Sequence, residues 1–512
     1  MNVLFVSIDS LTRHFLDVYP DRDVEFDVET ENIDRFAERA TVFDTHYAGS
    51  LPCMPARREW LTGTQEFLWR PWGPIEPFDD PLPRLAREDG VLTQLITDHF
   101  HYFQHGSHGY YEDFNGFEFV RGHEYDAWQT APQDPPEEVY QQITNVSADD
   151  PRGTGYLNRS QYARNVADKE ATDETEFFAP QVFSKTADWL RRNQDWDEWF
   201  CYVDSFDVHE PFHVPEPYAS LYTDEDPRDP ELVNWPFYGR VDEGQSELTE
   251  RQVDFVRSQF AGKVTMVDRW FGRVLDALDE TGAWEDTAVV VTSDHGHYLG
   301  EHGWVGKPGA PLYDVLARTP LFIWHPDSPR RGERVDSLTS AVDLYATIID
   351  FLGLEVTRTR HSRSLLPVLE GRSDDHRDWA LYGYWGSSVN VTDGQYTYMH
   401  PCDESVDAYC HSTEMMSAYG WFTPREPQRD AESGAYLPYT DSPVWRYEAP
   451  SNPRHVEPLL FDVTEDPEQQ RNLVDEDGEA VREMQRLLRE ALTDLEAPEK
   501  EFERLELAPR PS

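Results

Sequence analysis

Short apolar runs that end on polar pairs recur along the chain. Val3 to Ile8 is nearly continuous in apolar and β-branched residues and is followed directly by Asp9-Ser10. This pattern predicts a strand buried on both faces, as in a parallel sheet. Further strands of this kind are predicted at Thr41 to Phe43, Trp199 to Asp204, Ala288 to Thr292 and Leu321 to Trp324. Helical patterns lie between them at Asn32 to Arg39, from near Pro55 to Thr62, at Gln252 to Leu278 and at Val342 to Leu352.

This alternation predicts an α/β fold with a large, mainly parallel mixed sheet sandwiched by helices. The pattern changes near residues 372 to 380. Beyond it, strands are predicted at Trp379 to Trp385, Val389 to Thr397 and Leu459 to Asp462, and a helix at Glu479 to Leu495. We therefore predict a catalytic domain over residues 1–375 and a smaller α+β C-terminal domain over residues 376–512. The polar, partly Pro-rich stretch from 121 to 180 is predicted to be an insertion or a lid.

The charge balance of the chain narrows the choice of partners. The 512 residues carry a formal net charge of -53, from 98 acidic and 45 basic residues. Binding to nucleic acid or to an anionic membrane through a broad basic patch is therefore excluded. The surplus of Asp and Glu with five lysines indicates a salt-adapted protein, and a haloarchaeal source is predicted; a GC-rich genome would explain the scarcity of lysine but not the acidic surplus.

The number of cysteines and the pattern of the N-terminal residues indicate in which cellular compartment the protein is expected. Four scattered cysteines are too few for a disulfide framework, so a reducing environment is expected. The opening apolar stretch lacks a basic segment before it and is very short, which predicts no signal peptide. No apolar run approaches the length of a membrane span. We expect a soluble cytoplasmic protein.

Polar residues follow the predicted strands at the ends where open α/β sheets bind ligands. They are Asp9-Ser10, Asp207 with His209, and Asp294-His295. Two carboxylates and a neutral imidazole make a credible site for a divalent metal ion. A single Asp in such a position more often caps a helix or a turn, so only the joint placement of these residues indicates a metal site.

Several motifs of the chain resemble one family. Cys53-Met54-Pro55-Ala56-Arg57 matches the Cys-x-Pro-x-Arg signature of the sulfatases of the alkaline phosphatase superfamily. The family's other motifs are similar, in order and spacing, to residues 31 to 37, 61 to 63, 293 to 303, Lys307, 318 to 321 and 459 to 473. The chain is therefore identified as a member of that family, and the resemblance implies an alkaline phosphatase-like fold.

The resemblance also implies a set of site residues. Cys53 would be oxidised to formylglycine by a maturation enzyme and become the nucleophile. An oxygen of the modified Cys53 would bind a metal together with Asp9, Ser10, Asp294 and His295. The family implies Ca²⁺ as the metal, with Mg²⁺ or Mn²⁺ left open by the histidine ligand. The catalytic residues would be Cys53, Arg57, His99, His101, His209 and Lys307. The chain departs from the family at Ser10, where many members have Asp, and at His99, where they have Lys.

The function that follows is hydrolysis of a sulfate monoester of a small molecule or a glycan. Arg57, His101, His209 and Lys307 would supply the positive charge that an acidic protein needs to bind an anionic ester. Two alternatives stay open: a phosphonate or phosphate ester hydrolase of the same superfamily, and a non-catalytic ligand-binding relative. The sequence does not indicate the oligomeric state.

Overall fold

The computed structural model of the protein describes residues 1–19, 24–104, 106–127, 134–135, 137–144, 157–167, 169, 173–307, 311–356, 360–415, 428–449 and 457–507. The strands in these ranges are β1 Asn2–Ile8, β2 Thr41–Phe43, β3 His46–Tyr47, β4 Ser50–Leu51, β5 Leu92–Thr97, β6 Gly116–Phe119, β7 Trp199–Ser205, β8 Gly239–Arg240, β9 Thr287–Thr292, β10 Tyr298–Leu299, β11 Trp304–Gly306, β12 Leu321–Trp324, β13 Arg334–Val335, β14 Thr339–Ser340, β15 Ala380–Tyr384, β16 Val389–Thr392, β17 Tyr396–His400, β18 Ala408–Ser412, β19 Glu432–Gly434, β20 Val444–Ala449 and β21 Leu459–Asp462.

The helices in the same ranges are α1 Glu31–Ala37, α2 Cys53–Thr62, α3 Leu82–Glu88, α4 Glu137–Thr144, α5 Leu157–Asn165, α6 Phe178–Arg192, α7 Glu250–Thr281, α8 Asp314–Ala317, α9 Asp343–Leu352, α10 Leu366–Leu369, α11 Gly478–Asp494 and α12 Glu499–Arg504. The long helix α7 begins with a capping box, in which the Thr249 side chain accepts a bond from Gln252 N and the Gln252 side chain accepts one from Thr249 N.

The main sheet has the strand order β13-β2-β12-β9-β1-β7-β5-β6 in the described part of the chain. Strands β9, β1, β7, β5 and β6 run parallel to one another, whereas β12 is antiparallel to both of its neighbours, β9 and β2. The predicted mainly parallel mixed sheet is confirmed. Strand β1 lies near the middle of the sheet, which explains why its sequence is apolar on both faces.

Helices cover both faces of the main sheet. Leu4 and Val6 of β1 pack in one apolar cluster with residues of α1, α6 and α7. Val3 and Phe5 point to the opposite face and pack with residues of α2, α3 and α9. Side chains of a strand alternate between its two faces, so this division follows from the sequence of β1. The sandwich of helices around the sheet is the architecture that the sequence predicted.

A second sheet is formed mostly by the C-terminal part of the chain, with the order β21-β17-β16-β15-β4. The prediction of one strand from Val389 to Thr397 was wrong: β16 and β17 form an antiparallel hairpin. Asp393 and Gly394 form its turn, where Gly394 has a φ of 95° and Asp393 Oδ1 accepts bonds from Gln395 N and Tyr396 N. An Asp-Gly pair between two strand-forming segments is a hairpin signal that was overlooked in the sequence.

The interval from 121 to 180, predicted to be an insertion or a lid, lies partly outside the described residues. Its described parts include the helices α4 and α5 and the first turn of α6. In the described ranges no helix is long and apolar enough to cross a membrane.

Candidate active site

Four residues that could hold a metal ion meet at one edge of the main sheet. Asp9 follows β1, Asp294 and His295 follow β9, and Cys53 is the first residue of α2. One ligand atom from each lies within 4.8 Å of the others, and all four residues are buried. These strand ends therefore converge as the sequence predicted, in the place where open parallel sheets bind their ligands.

The turn after β1 places Ser10 between Asp9 and Lys307. Ser10 has a φ of 61°, in the left-handed region that residues other than glycine seldom adopt. Its main-chain N–H donates to Asp294 Oδ1 at 3.0 Å, and its hydroxyl donates to Asp9 Oδ1 at 2.8 Å. The ammonium of Lys307 donates to Ser10 Oγ at 3.2 Å. Ser10, a predicted metal ligand, thus connects Lys307 to Asp9 in this structure.

Cys53 lies at the start of α2, where its side chain faces His295. The helix begins two residues earlier than the predicted start near Pro55, after Pro52. Cys53 Sγ is 3.4 Å from His295 Nε2. His295 Nδ1 is 2.9 Å from the carbonyl oxygen of Gly296, and a carbonyl only accepts, so Nδ1 carries the proton and the Nε2 lone pair faces the cluster. Burial lowers the pKa of His295 to about 4, so the imidazole is neutral, as a metal ligand must be.

The two carboxylates of the cluster have opposite electrostatic behaviour. Burial raises the pKa of Asp9 well above its usual range, and the charge of Asp294 raises it further. Burial acts in the same direction on Asp294, but His295 and Arg57 outweigh it and lower the pKa of Asp294. Two buried carboxylates in contact repel each other when both are ionised. A bound cation would relieve that repulsion.

Arg57 is held at the cluster by three carboxylates. Its Nε and Nη2 donate to the two oxygens of Asp204 at 3.0 and 2.8 Å. Its Nη1 donates to Asp294 Oδ2 at 2.5 Å and to the carbonyl oxygen of Cys53 at 3.0 Å, and Asp9 Oδ2 lies 2.9 Å from Nη2. From the sequence, Arg57 was expected to supply positive charge for binding the anionic ester. In the structure the guanidinium is occupied by carboxylates and by the main chain of Cys53.

Asp204 is a site residue that the sequence analysis did not select. It lies near the end of β7, fully buried, and also accepts a bond from Ser7 Oγ at 2.5 Å. His99 Nδ1 is 3.3 Å from Asp204 Oδ2, and the His99 ring stacks on Phe206. Burial, with the charge of Arg57, lowers the pKa of His99, so this imidazole is neutral. The strand-end rule that selected Asp9 would also have selected Asp204.

His101 follows β5 and contacts two oxygen acceptors. Its Nδ1 is 2.6 Å from Gln104 Oε1, and its Nε2 is 3.1 Å from a carboxylate oxygen of Glu124. Glu124 is buried and has a φ of 46°, so its backbone is also in the left-handed region. The indole of Trp72 packs edge-on against the His101 ring. Glu124 was not selected from the sequence, where no local pattern marks it.

His209 and Lys307 meet at Glu210. His209 Nδ1 lies 2.8 Å from the carbonyl oxygen of Glu210, and burial lowers the pKa of His209, so its ring is neutral with the Nε2 lone pair unprotonated. Lys307 Nζ lies 3.8 Å from Glu210 Oε2. Burial opposes the charge of Lys307, but Glu210 outweighs it and raises the pKa of the ammonium. Lys307 therefore supplies a fixed positive charge beside Ser10.

Asp207 does not join the cluster, contrary to the expectation that the end of β7 would supply a carboxylate through this residue. Its Oδ1 forms an ion pair with Lys263 at 2.5 Å, and its Oδ2 accepts a bond from Ala179 N. Lys263 Nζ also donates to the carbonyl oxygens of His209 and Pro211. Asp207 thus supports the segment that carries His209.

The cluster brings carboxylate oxygens, an imidazole nitrogen and a buried thiol together at the start of a helix, and this donor set could hold a divalent metal ion. Comparisons with known proteins identify the family of the chain. Residues 1–354 match the family model described as Sulfatase. The chain therefore belongs to the sulfatase family, and the expected class of enzyme, a sulfuric ester hydrolase, agrees with that membership.

The individual relatives of the chain share less than a third of its residues. The chain is 27% identical over 436 residues to the multifunctional alkaline phosphatase superfamily protein PehA of Trinickia caryophylli, covering 75% of this chain and 80% of PehA. It is 28% identical to the uncharacterized sulfatase YidJ of Escherichia coli (strain K12), covering 72% of this chain and 71% of YidJ. A phosphonate monoester hydrolase of Agrobacterium radiobacter has a similar fold, with a TM-score of 0.62, 21% identity, and coverage of 97% of this chain and 95% of that one.

Proposed function

We propose that the protein hydrolyses sulfate monoesters with a formylglycine nucleophile formed from Cys53 and a bound divalent metal ion. The observation that carries the proposal is the position of Cys53: it lies in the signature Cys53-Met54-Pro55-Ala56-Arg57, and its Sγ is within 4.8 Å of ligand atoms of Asp9, Asp294 and His295. A buried thiol at a helix start needs no such neighbours for packing.

The donor set fits a divalent cation. Asp9 Oδ2 is buried and lies near Arg57, yet it accepts no well-aligned hydrogen bond in the described part of the chain. Carboxylate oxygens of Asp9 and Asp294 suit a hard cation, and the neutral Nε2 of His295 adds a nitrogen ligand. We propose Ca²⁺, with Mg²⁺ or Mn²⁺ as alternatives. When bound, the metal would polarise the ester oxygens and acidify a hydroxyl of residue 53.

The residues around the cluster have distinct proposed tasks. Hydrated formylglycine would supply one hydroxyl that attacks sulfur and a second whose deprotonation releases sulfate. Asp294 would accept the proton of the attacking hydroxyl. His209 and Lys307 would assist the leaving alcohol oxygen, whose developing negative charge Lys307 would stabilise. His101 would assist release of sulfate, with His99 beside it. Arg57 would hold the carboxylates and the start of α2 in position.

A phosphonate or phosphate ester hydrolase is the second candidate. Ser10 and His99 depart from the usual sulfatase pattern, and the relative PehA is named as a multifunctional member of the superfamily. A non-catalytic relative would instead have an unmodified Cys53 and no turnover.

Paired kinetics on the metal-replete protein decide between these functions. We expect kcat/KM for an aryl sulfate to exceed that for the matched aryl phosphonate monoester. The variant Cys53→Ala should lose all turnover, whereas Cys402→Ala, which removes a buried thiol in the C-terminal region, should keep it. A dominant phosphonate activity would support the second candidate, and no turnover of either ester would support the non-catalytic one.

Several finer features belong to the same proposal. The substrate would be a small-molecule or glycan sulfate, and a formylglycine-generating enzyme would be a transient partner. The acidic surplus supports a haloarchaeal source, and the cysteine usage supports a cytoplasmic location. We also propose the division into domains 1–375 and 376–512. An apolar cluster formed mostly by residues of α11 and of the sheet of β15, β16, β17 and β21 supports that division, and Phe67, Leu68 and Trp69 pack against it from the first domain.

A further inference from the structure

The aromatic ring of Tyr238 lies beside Lys307 with part of its surface open to solvent. Its exposed fraction is 40%, and the ring centroid is 5.8 Å from Lys307 Nζ. The ring rests against the main chain of Gly306, the residue before Lys307, where a Cβ atom would overlap it. Gly306 has a φ of 84°, a conformation that glycine adopts readily. The backbone next to Lys307 is therefore shaped to receive this ring.

The hydroxyl end of Tyr238 points inward and is fixed. It donates a hydrogen bond to Glu210 Oε1. The other oxygen of Glu210 lies 3.1 Å from His297 Nε2 and 3.8 Å from Lys307 Nζ. Because the hydroxyl is held and the ring is partly open, Tyr238 presents a pre-oriented aromatic surface. A pre-oriented ring loses little conformational entropy when a ligand stacks on it.

We propose that Tyr238 forms a wall of the leaving-group subsite and selects esters whose leaving group is a ring with a flat, carbon-rich face, namely an aryl ring or a pyranose. The inference rests on the proposed function, in which Lys307 assists the leaving oxygen. An ester oxygen placed at Lys307 brings the first atoms of its leaving group next to the Tyr238 ring. A flat ring can stack there at the centroid distances that aromatic pairs prefer, about 4.5 to 7 Å, whereas a short alkyl chain covers little of that surface.

The test compares three ester classes on the full, metal-replete protein: an aryl sulfate, a hexose sulfate and a short alkyl sulfate. Tyr238→Ala should raise KM for at least one of the two ring esters about tenfold, equivalent to about 1.4 kcal/mol. The increase in KM for the alkyl ester should be at least fivefold smaller. The ring ester whose KM rises shows whether the subsite takes an aryl ring or a pyranose. Tyr238→Phe keeps the ring and should restore KM for that ester.

A matched control removes an exposed aromatic ring elsewhere. Trp196 is 54% exposed and precedes β7, so it lies at the opposite edge of the sheet from the cluster. Trp196→Ala should leave KM unchanged for all three esters.

Two results on Tyr238 would overturn the inference. An equal loss on all three esters in both Tyr238→Ala and Tyr238→Phe would mean that Tyr238 acts only through Glu210 and Lys307. No loss in either variant would mean that the ring is not part of the subsite. If the wild-type protein hydrolyses phosphonate but not sulfate esters, the proposed function fails, and the same comparison on aryl and methyl phosphonate monoesters tests Tyr238. A protein inactive on both overturns both proposals.

Discussion

Replacing Asp204 by asparagine tests whether a buried carboxylate positions Arg57. Asp204 accepts two parallel bonds from Arg57, at 3.0 and 2.8 Å, and asparagine can accept only one of them. Removing one partner of a buried ion pair costs about 3 to 5 kcal/mol. Arg57 keeps its bond to Asp294, so we take the lower end, about 3 kcal/mol. For 512 residues this corresponds to a fall in Tm of about 3 °C.

The rate of ester hydrolysis should also fall in Asp204→Asn. Arg57 also donates to the carbonyl oxygen of Cys53, so a displaced guanidinium moves the start of α2, and misplacement by about 1 Å costs about 100-fold in rate. Calorimetry gives Tm and single-turnover kinetics with an aryl sulfate give the rate.

The control for Asp204→Asn is Asp343→Asn. Asp343 is also fully buried and accepts two bonds from one arginine, Arg377, at 2.7 and 2.5 Å, but it is not part of the metal-ligand cluster. This variant should lose similar stability and keep its rate. Equal rates in wild type and Asp204→Asn, or equal rate losses in the two variants, would refute the positioning role.

Three further predictions concern stability. Burial raises the pKa of Glu59 to about 8. The contribution of Glu59 to the free energy of unfolding is therefore fully present below pH 4.5 and is lost as the pH rises through about 8. Glu59→Gln should therefore gain stability relative to wild type between pH 5 and pH 9 in urea titrations; a difference independent of pH would contradict this. Thr249→Ala breaks the capping box of α7 and should lower the free energy of unfolding in urea by about 1 kcal/mol. Thr249→Ser keeps the hydroxyl and should retain most of the wild-type stability. Equal losses of stability in the two variants would count against the cap. The net charge of -53 predicts that Tm rises when the KCl concentration is raised from 0.1 M to the molar range, because salt screens the repulsion between the acidic side chains. An equal rise in Tm in sucrose of the same osmolality would argue against charge screening.

The sequence predicted the sheet and the cluster because both are encoded locally. The apolar run of β1 identifies a central strand, and Asp9, Cys53 and the Asp294-His295 pair lie at the ends or starts of recognisable elements. Parallel strands bring those ends to one edge whatever the loops between them do. Chain order and strand direction were therefore sufficient to bring Asp9, Asp294 and His295 together, whereas the role of Cys53 was implied by the family resemblance.

The contacts that orient the cluster are encoded by the tertiary fold. Arg57 and Asp204 are 147 positions apart, and no local pattern tells which strand-end carboxylate an arginine will meet. For the same reason, the contacts of Tyr238 with Glu210 and of Glu124 with His101 could not be predicted. These contacts join segments for which the sequence predicts no regular structure. Periodicity predicts which face of an element is buried, but partners across loops depend on how those loops pack.

The state of residue 53 is the most direct test of the proposed mechanism. The protein should be produced in a halophilic host with its own maturation enzyme, and the peptide that spans Leu51 to Arg57 analysed by mass spectrometry, with an aldehyde-specific probe on the intact protein. We predict an aldehyde at position 53 in the active protein and none in Cys53→Ala. Sulfate ester turnover by protein in which residue 53 is entirely thiol would contradict the formylglycine mechanism.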